Sequence, residues 1–355
     1  MPKREVSIHD IAKEAGVSIA TVSRVINQSS KVSNASRERV CAAIQKFGYS
    51  PSGTARSLRT KKSKAVGLVV PDIGNPFFCQ LLQGITRVAD QNGYHVLLFN
   101  TEETVERQNK VLQSIREHRL CGLIVIPIEK NDPLTLRCLL DYKEHGTPVV
   151  FLDRDMDNPL FDRVVSDDSQ GVFQAINALL QAGHRKIAIL AGSQESRPGR
   201  MRLDGYTRAL TAAGIPLQDA YIRQSNFFDV QCACDQTKAL LQLEDPPTAV
   251  FTSNNTMTYG FLKACGEMGL TVGRDIGLIG FDDIEMLGWL NHPVSVVSRP
   301  VPDMGEQAME LLLNCLDKPD GEPCVHRVVP TELILRGSET ASPENRQNKG
   351  VSYES

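Results

Sequence analysis

Residues 7–27 read SIHDIAKEAGVSIATVSRVIN and predict two short helices joined by a tight turn. Ser7 is suited to cap the first helix, and Asp10, three residues further on, completes a capping box. Gly16 ends this helix, because glycine readily adopts the left-handed backbone conformation found after a helix C-terminus. Ser18 then caps a second helix. The segment therefore predicts a helix, a glycine turn and a second helix in immediate succession.

A third helix and a common apolar spacing extend this pattern. The third helix is expected to begin after Ser33, its cap, and to run through Phe47, with Gly48 ending it. The residues that fall at helical spacing and predict a shared core are Ile8, Ile11, Ala12, Ala15, Val22, Val25, Ile26, Val40, Ala43, Ile44 and Phe47. The residues expected on the solvent side of the second helix are Ile19, Ala20, Ser23 and Arg24. This is the helix-turn-helix pattern, in which the N-terminal part of the second helix enters the major groove of DNA.

The formal net charge of −3 is unevenly distributed along the 355 residues. Residues 1–64 carry 13 Lys and Arg against 4 Asp and Glu, whereas the remainder carries 26 against 38. A basic head on an acidic body is expected where only the head contacts a polyanion. Composition alone leaves open the alternative of a basic segment with no specific partner.

Two uninterrupted strings make the headpiece motif specific. They are DIAKEAGVS at Asp10–Ser18 and TVSRVIN at Thr21–Asn27. Both resemble the headpiece of the lactose/galactose repressor (LacI/GalR) family of bacterial transcription regulators. The resemblance continues nearly residue for residue from Ser7 to Leu58, and it implies a DNA-binding headpiece at residues 1–49.

The resemblance also assigns roles in DNA recognition. Ile19, Ala20 and Arg24 occupy the positions that read base edges in that family. Arg24 has the reach for a bidentate contact to guanine O6 and N7, which discriminates between bases by about 1–3 kcal/mol. Ile19 and Ala20 are apolar where the lactose repressor itself is polar, so its operator preference does not carry over to this chain. The short polar residues suited to phosphate contacts are Ser7, Ser18, Thr21, Ser23 and Asn27.

Residues 50–63 are expected to form a hinge helix and linker. Leu58 is the one large apolar residue of the stretch, which therefore has no core of its own. The resemblance implies that Ala55, Arg56 and Leu58 belong to a hinge helix that pairs with its copy from a second subunit. Leu58 would wedge between base pairs and kink the minor groove. A solvated linker is the alternative.

From residue 64 onward, apolar strands alternate with helices and predict parallel sheets that are covered on both faces. About 275 residues of this pattern exceed one usual domain. We expect two Rossmann-like lobes within residues 64–337. The predicted divisions are about 64–161 and 291–323 for the N-lobe, and about 162–290 and 324–337 for the C-lobe. The polar tail 338–355 is expected to be disordered.

The resemblance covers this region to about residue 337. It implies an α/β effector domain of the periplasmic-binding-protein-like (type I) fold behind the all-α headpiece. It also implies effector contacts by Phe78, Asp153, Arg202, Phe227, Asn254 and Asp282. Phe77 and Arg154 join these candidates, because residues that follow the strands line the cleft between such lobes.

Carboxylates, amides and arginines near aromatic rings suit a polyhydroxylated ligand. Arg154 and Arg202 also suit an acidic ligand such as a sugar acid. Asp72, Asp167 and Asp283 have an alternative role, which is to cap the helices that follow them.

The chain lacks the sequence signatures of the enzyme classes that share α/β folds. It has no dinucleotide or P-loop glycine motif and no nucleophile elbow, and its seven His and nine Cys lack metal-ligand spacing. No catalysis, cofactor or metal is therefore expected. Without a run of 18 apolar residues or a secretory signal, the protein is expected in the cytoplasm and away from membranes.

The predicted function is transcription regulation, most often repression, on a pseudo-palindromic double-stranded DNA operator. A sugar, sugar acid or sugar phosphate bound between the lobes would control operator affinity. The alternatives are a stand-alone sugar-binding protein and a purine-responsive regulator of the same fold. A homodimer is expected, because one headpiece covers one half-site and the polar C-terminal tail has no leucine heptads.

Overall fold

The computed structural model describes residues 6–26, 31–48, 64–225, 229–289, 292–317 and 322–341. The chain divides into two compact units, Met1–Ser63 and Lys64–Ser355. This division coincides with the expected start of the effector domain at residue 64. No helix in the described ranges is both long enough and apolar enough to span a membrane.

The first unit contains three helices, α1 (Ile8–Ala15), α2 (Ile19–Ile26) and α3 (Asn34–Phe47). The capping box of Ser7 and Asp10 is present, with both reciprocal hydrogen bonds formed. The predicted C-terminal glycines adopt the left-handed conformation, with φ of 62° at Gly16 and 58° at Gly48. The predicted helix-turn-helix is therefore confirmed.

Two side chains of the headpiece differ from the expectation. Ser23 was expected toward solvent but is only 4% exposed, because it lies beside Val22 on the buried flank of α2. Phe47 was expected in the core but is 38% exposed. It is the last residue of α3, and Val40 and Ala43 already fill the core from the preceding turns.

The second unit begins with a six-stranded parallel sheet. Its strands are β1 (Ala65–Val70), β2 (His95–Asn100), β3 (Gly122–Val125), β4 (Val149–Leu152), β5 (Asp162–Ser166) and β11 (His326–Val329), in the order β11-β5-β4-β3-β1-β2. Its helices are α4 (Pro76–Gln91), α5 (Val105–Ser114), α6 (Pro133–Glu144) and α12 (Val301–Asp317), with a short 3-10 turn at Ile115–His118. Both faces of the sheet are covered by apolar clusters, as predicted for parallel strands.

A second six-stranded sheet forms the other lobe. Its strands are β6 (Ile187–Ala191), β7 (Ile222–Gln224), β8 (Ala249–Thr252), β9 (Gly277–Phe281), β10 (Ser295–Ser298) and β12 (Glu332–Ile334), in the order β12-β10-β9-β8-β6-β7. Only β12 runs antiparallel to its neighbour among these pairings. Its helices are α7 (Asp168–Gln181), α8 (Arg197–Ala212), α9 (Val230–Leu241), α10 (Asn255–Glu267) and α11 (Glu285–Trp289). The expected fold class is confirmed.

The division between the lobes was predicted incorrectly. Strands β5 and β11 pair in the first sheet, although residues 162–166 and 326–329 were assigned to the C-lobe. Strand β10 pairs in the second sheet, although residues 295–298 were assigned to the N-lobe. The apolar pattern reveals a strand but not its partner, because partner choice depends on where each crossover returns.

The first residues of the expected disordered tail are ordered. Ser338 and Glu339 are buried, and the Ser338 hydroxyl donates a 2.6 Å hydrogen bond to the Leu278 carbonyl oxygen. His184 Nε2 donates to the Glu339 carbonyl oxygen at 2.9 Å. Polar composition concealed this order, because hydrogen bonds rather than apolar contacts hold the segment. The part of the tail beyond Ala341 lies outside the described residues.

Candidate functional site

The N-terminal end of α2 carries the exposed face of the headpiece. Ile19 is 40% exposed, and Ala20 and Arg24 are exposed beside it. An isoleucine left in solvent beside a small core suits contact with a thymine methyl group, and an arginine one turn away suits guanine. The face therefore has the residue types expected for reading base edges.

The other predicted DNA contacts fall into three groups. Ser7 lies at the start of α1, whereas Ser18 and Thr21 lie at the start of α2 with 3.0 Å between their hydroxyl oxygens. Ser23 is buried, so its side chain does not reach a phosphate in this conformation. The residues of this set that lie outside the described ranges are Asn27, Ala55, Arg56 and Leu58.

In the second unit, two aspartates mark the carboxyl ends of strands from different lobes. Asp153 follows β4 in the first lobe, and Asp282 follows β9 in the second. Both have left-handed backbones, with φ of 63° and 71° respectively. Such a conformation costs a residue other than glycine about 1–3 kcal/mol and is concentrated at functional sites. The strain therefore points to this edge of the two sheets.

Arg299 joins these two aspartates and was not predicted. It follows β10, and its Nε donates to Asp282 Oδ1 at 2.9 Å while its Nη1 donates to Asp153 Oδ1. Nη1 also donates to Ser166 Oγ at 2.9 Å, and the guanidinium carbon lies 4.2 Å from the centre of the Phe77 ring. Only 2% of the side chain is exposed. One buried cation therefore bridges both lobes.

A sequence signal for Arg299 was available. Like the other candidates, it directly follows an apolar strand. The rule that selected Asp153 and Asp282 therefore applies to Arg299 as well, although it was not among the candidates.

Arg202 is paired within the second lobe. Its Nε donates to Asp168 Oδ2 at 2.8 Å, and its guanidinium carbon lies 3.6 Å from the centre of the Phe281 ring. Burial alone would raise the pKa of the Asp168 carboxyl, but Arg202 and then Arg299 outweigh it and hold the pKa below its usual range. Asp168 therefore stays charged beside the cleft.

Arg154 is paired within the first lobe. Its Nη1 lies 2.9 Å from Glu103 Oε1, and its side chain is buried. Burial raises the pKa of the Glu103 carboxyl, although Arg154 partly offsets that effect. Glu103, the partner of a residue that lines the cavity, was not predicted, since it lies in a loop after β2 with no distinguishing pattern.

Two buried asparagines connect the lobes by a reciprocal amide pair. Asn75 Nδ2 donates to Asn255 Oδ1 at 3.2 Å, and Asn255 Nδ2 donates to Asn75 Oδ1 at 2.8 Å. Asn75 caps α4, and Asn255 is the first residue of α10. The helix N-termini of both lobes therefore meet at this contact.

The alternative capping roles hold in part. Asp167 caps α7, accepting from the Gln170 amide at 3.3 Å. Asp283 instead pairs with Arg336, with 2.6 Å between Oδ2 and Nη2. Asp72 accepts from the Gly74 amide at 2.8 Å and does not cap α4.

The predicted effector residues that the structure describes converge on one cavity between the lobes. This cavity holds about 30 Å³ and is lined by Asn75, Phe77, Phe78, Asp153, Arg154, Pro198, Arg202, Asn254, Asp282 and Arg299. Phe227, the remaining candidate, lies outside the described residues. A neighbouring cavity of about 210 Å³ shares Phe77, Asp282 and Arg299 with it. These two spaces form the candidate effector site.

A larger cavity of about 800 Å³ lies elsewhere in the second lobe. Leu262, Leu287 and Val294 supply apolar walls, and its Arg336 already pairs with Asp283. None of the effector candidates that the structure describes lines it. The inter-lobe cavities are the better candidate, because the predicted polar side chains converge there.

Comparisons with known proteins agree with both units. The family described as bacterial regulatory proteins, lacI family, matches residues 7–52, and the periplasmic binding protein-like domain matches residues 176–339. The HTH-type transcriptional repressor PurR of Aliivibrio salmonicida is 31% identical over 94% of this chain and 98% of its own length. The ribose operon repressor of Escherichia coli K12 is 32% identical over 94% and 99%.

Solved structures extend the likeness to three dimensions. The lac repressor dimer bound to operator and the anti-inducer ONPF has a TM-score of 0.84 and 28% identity, covering 96% of this chain and all of that chain. The complex of the transcriptional regulator CelR with cellobiose has a TM-score of 0.71 and 27% identity, covering 94% and 99%. The similarity thus spans the headpiece and both lobes. The chain therefore belongs to the lacI family of bacterial regulatory proteins and is a DNA-binding transcription regulator.

Proposed function

We propose that this regulator is a repressor whose operator affinity is controlled by a small sugar-like effector bound between the two lobes. The class proposed is a sugar, a sugar acid or a sugar phosphate. The observation that carries the proposal is the convergence of Phe77, Phe78, Asp153, Arg154, Arg202, Asn254 and Asp282 on one inter-lobe cavity. The relatives named as ribose operon repressor and the neighbour solved with cellobiose support a carbohydrate.

The chemistry of these residues suits a polyol. Asp153 and Asp282 accept hydrogen bonds from vicinal hydroxyls, and Asn254 offers both a donor and an acceptor. Phe77 and Phe78 are packed edge to face with ring centres 5.1 Å apart and provide apolar contact for a sugar ring. Because the acids come from different lobes, a ligand that binds both favours the closed cleft.

On the DNA side, we propose that Ile19, Ala20 and Arg24 read base edges, while Ser7, Ser18 and Thr21 contact phosphates. The hinge residues Ala55, Arg56 and Leu58, and Asn27 of the headpiece, keep their expected DNA contacts as part of this proposal. The chain acts as a homodimer, with one headpiece on each half-site of the operator. Support comes from the lac repressor neighbour, which was solved as a dimer on its operator.

Effector binding then changes operator affinity by a coupling free energy, which is typically about 1–3 kcal/mol. We propose no catalytic step, in keeping with relatives that are named as repressors and control proteins. Because its target is the bacterial chromosome, we place the protein in the cytoplasm.

A purine is the second candidate effector. It is favoured by the relatives named as the repressor PurR, which are 31–32% identical to this chain. The adjacent rings of Phe77 and Phe78 suit stacking on a base as well as packing on a sugar. A stand-alone sugar-binding protein is not favoured, because the helix-turn-helix headpiece is present.

The test combines ligand and DNA binding on the full chain. Sugars, sugar acids, sugar phosphates and purines are screened for a rise in melting temperature, since a ligand of the folded state stabilises it. Operator affinity is then measured on genomic fragments with and without each hit. One stabilising class that also shifts operator affinity supports the proposal. Failure to bind any fragment specifically under every ligand condition contradicts it.

A further inference from the structure

Arg299 stands where the two inter-lobe cavities meet. Phe77, Asp282 and Arg299 line both spaces, one of about 30 Å³ and the other of about 210 Å³. Sites for small molecules commonly measure about 300–1,000 Å³. In this conformation Arg299 therefore lines both spaces, and each of them is smaller than that range.

The contacts of Arg299 occupy the groups that a ligand needs. Its Nε and Nη1 donate to Asp282 and Asp153, the two carboxylates assigned above to ligand hydroxyls. Nη1 also donates to Ser166 of the first lobe. An effector therefore competes with an internal cation for one oxygen of each carboxylate.

The other arginines of the small cavity are held differently. Arg202 pairs with Asp168, and both belong to the second lobe. Arg154 pairs with Glu103, and both belong to the first lobe. The ion pairs of Arg299, in contrast, connect an aspartate of the first lobe with one of the second.

The charge of Arg299 restricts which ligands can replace these contacts. A neutral polyol supplies hydroxyl donors to the two aspartates but no anion to replace them at the buried guanidinium, which is left with Asp168 as a nearby anion. A ligand carboxylate or phosphate supplies that anion and matches the fork of guanidinium donors. The donor geometry of the Arg299 guanidinium, rather than the net charge of the cleft, therefore favours an anionic polyol.

We propose that Arg299 is the specificity-determining residue of the cleft and selects a polyhydroxylated effector with a carboxylate or phosphate group. Without effector, its guanidinium forms ion pairs with both Asp153 of the first lobe and Asp282 of the second and so connects the lobes. The anionic group of the effector takes over the guanidinium, and the released carboxylates accept the effector's hydroxyls. The two cavities then join into one. This inference rests on the proposed function and narrows its effector class.

The test uses calorimetric titration of the full chain with matched ligands. Gluconate and glucuronate supply the carboxylate, glucose 6-phosphate and ribose 5-phosphate supply the phosphate, and glucose and ribose are the neutral parents. We expect at least one anionic ligand to bind tenfold or more tightly than its parent. Whether the carboxylate ligands or the phosphate ligands bind identifies which anionic group the cleft recognises. Equal binding of anionic and neutral members, or binding by no anionic ligand, overturns the inference.

Variants then tie the preference to one side chain. Arg299→Gln is expected to weaken the anionic ligand at least tenfold and to abolish its advantage over the neutral parent. The matched control is Arg274→Gln, which removes an arginine paired with the buried Asp275 in the same lobe but outside the cleft. It is expected to keep the affinity of the natural chain. Wild-type affinity in Arg299→Gln overturns the inference.

A second substitution keeps the test valid if the glutamine variant does not fold. Arg299→Lys retains the charge opposite Asp153 and Asp282 but loses the planar fork. Since lysine binds phosphate as a point charge but cannot grip a carboxylate bidentately, it is expected to weaken gluconate or glucuronate at least tenfold. If gluconate or glucuronate is the ligand that binds the natural chain, unchanged affinity for it in a folded Arg299→Lys protein overturns the inference. If the phosphate ligands bind instead, Arg299→Lys keeps the charge and is expected to retain their advantage over the neutral parent, so loss of that advantage in a folded protein overturns the inference.

Operator binding, measured by fluorescence anisotropy on the same samples, separates the two proposals. If a neutral sugar alone shifts operator affinity, and does so equally in the natural chain and in Arg299→Gln, the proposed role of Arg299 is wrong. The proposed control of operator affinity by an effector then still stands. If the protein binds no DNA specifically under any ligand, the proposed function fails and the inference fails with it.

Discussion

Two aspartates in the cleft have strained backbone conformations, which their contacts with neighbouring residues maintain. Asp153 and Asp282 adopt left-handed backbones that glycine would adopt without a penalty. Aspartate tolerates this region better than most residues, and the carboxylates gain charge-assisted bonds from Arg299 in return. Glycine would relieve the strain but remove the acceptors. The strain therefore persists because the carboxylates are needed at these positions.

The base-reading role assigned to Arg24 predicts a specific loss. Arg24→Ala removes the bidentate donor, so specific operator binding is expected to weaken by about 1–3 kcal/mol while binding to unrelated DNA changes little. Fluorescence anisotropy against operator and scrambled duplexes measures both. Lys46→Ala, which removes an exposed cation that pairs with Glu14, is the control and is expected to leave discrimination intact. Equal losses on both duplexes would assign Arg24 to the phosphates instead.

The buried His184 predicts a pH dependence of stability. Burial lowers its pKa, and its two ring nitrogens lie 2.9 Å from the Thr248 hydroxyl and the Glu339 carbonyl oxygens. Below about pH 6.5 the unfolded chain binds a proton that the folded chain does not. The free energy of unfolding should therefore fall as pH drops through 6.5, by up to about 1.4 kcal/mol per pH unit for this one proton.

Urea titrations between pH 7.5 and 5.5 measure this slope. His184→Gln removes the titrating group, so the variant should have a shallower slope in that window even if it is less stable overall. Glu103 acts in the opposite sense, because its raised pKa means that stability is lost as pH rises through it. Comparing the variant with the natural chain cancels that contribution. Identical slopes would rule out His184 as the source.

At the scale of helices and strands, the sequence predicts well what is local. The cap of Ser7, the glycine ends at Gly16 and Gly48, and the apolar strands from residue 65 onward all follow from neighbouring residues. Strand β5 was not predicted, because Asp162 and Arg163 interrupt a short apolar segment. Its place in the sheet depends on parallel pairing with β4 and β11, which sequence spacing does not reveal.

The candidate site shows the same limit. Asp153 and Asp282 could be predicted because they directly follow apolar strands and match a family pattern. Arg299 also follows an apolar strand, but its contacts with acids of both lobes could not be predicted until β10 was known to pair with β9. Asn75 and Asn255 are 180 positions apart, and only the closure of the lobes brings them together. Local sequence patterns therefore do not predict residues whose role depends on contacts between the two lobes.

A close helix crossing in the first lobe predicts a strong effect of one methyl group. A Cβ added at Gly84 in α4 would lie 1.9 Å from the Pro302 carbonyl oxygen of α12, and one at Gly305 would lie 2.2 Å from the Leu81 carbonyl oxygen. Gly84→Ala must push these helices apart and is expected to destabilise the chain by about 1–3 kcal/mol or more. Gly266→Ala in α10 meets no atom within 4 Å. It should stabilise by about 0.5–1 kcal/mol.

Thermal or urea unfolding of both variants provides the comparison. The two substitutions are chemically identical and both lie in helices, so intrinsic helix propensity favours alanine equally at each position. Opposite signs would show that helix contact decides the effect. A stabilised Gly84→Ala protein would contradict the close packing of α4 against α12.

For the whole molecule, three crossings join the lobes, after β5, after β10 and between β11 and β12. Arg299 lies in the second of these crossings, between β10 and α12. The contacts of a side chain at a crossing depend on the angle between the lobes, because the chain on either side of it belongs to a different lobe. Its pairing with acids from each lobe therefore couples the occupancy of the cleft to lobe closure, which is the kind of change that effector control requires.

The Asn75–Asn255 pair allows closure to be disturbed without touching the acids or Arg299. In the double variant Asn75→Asp with Asn255→Asp, two carboxylates face each other where the amide atoms are now 2.8–3.2 Å apart. Like charges at that distance repel strongly, so the open cleft should be favoured and effector affinity should fall at least tenfold near pH 8. Each single variant keeps one amide donor facing a carboxylate but sets two acceptor oxygens against each other at the second contact, so each should weaken effector binding less than the double variant does. The double-mutant cycle in calorimetry then isolates the coupling.

Lowering the pH protonates one member of the acidic pair and should restore part of the affinity in the double variant alone. Additive effects with no recovery on acidification would mean that this amide pair does not control closure of the cleft.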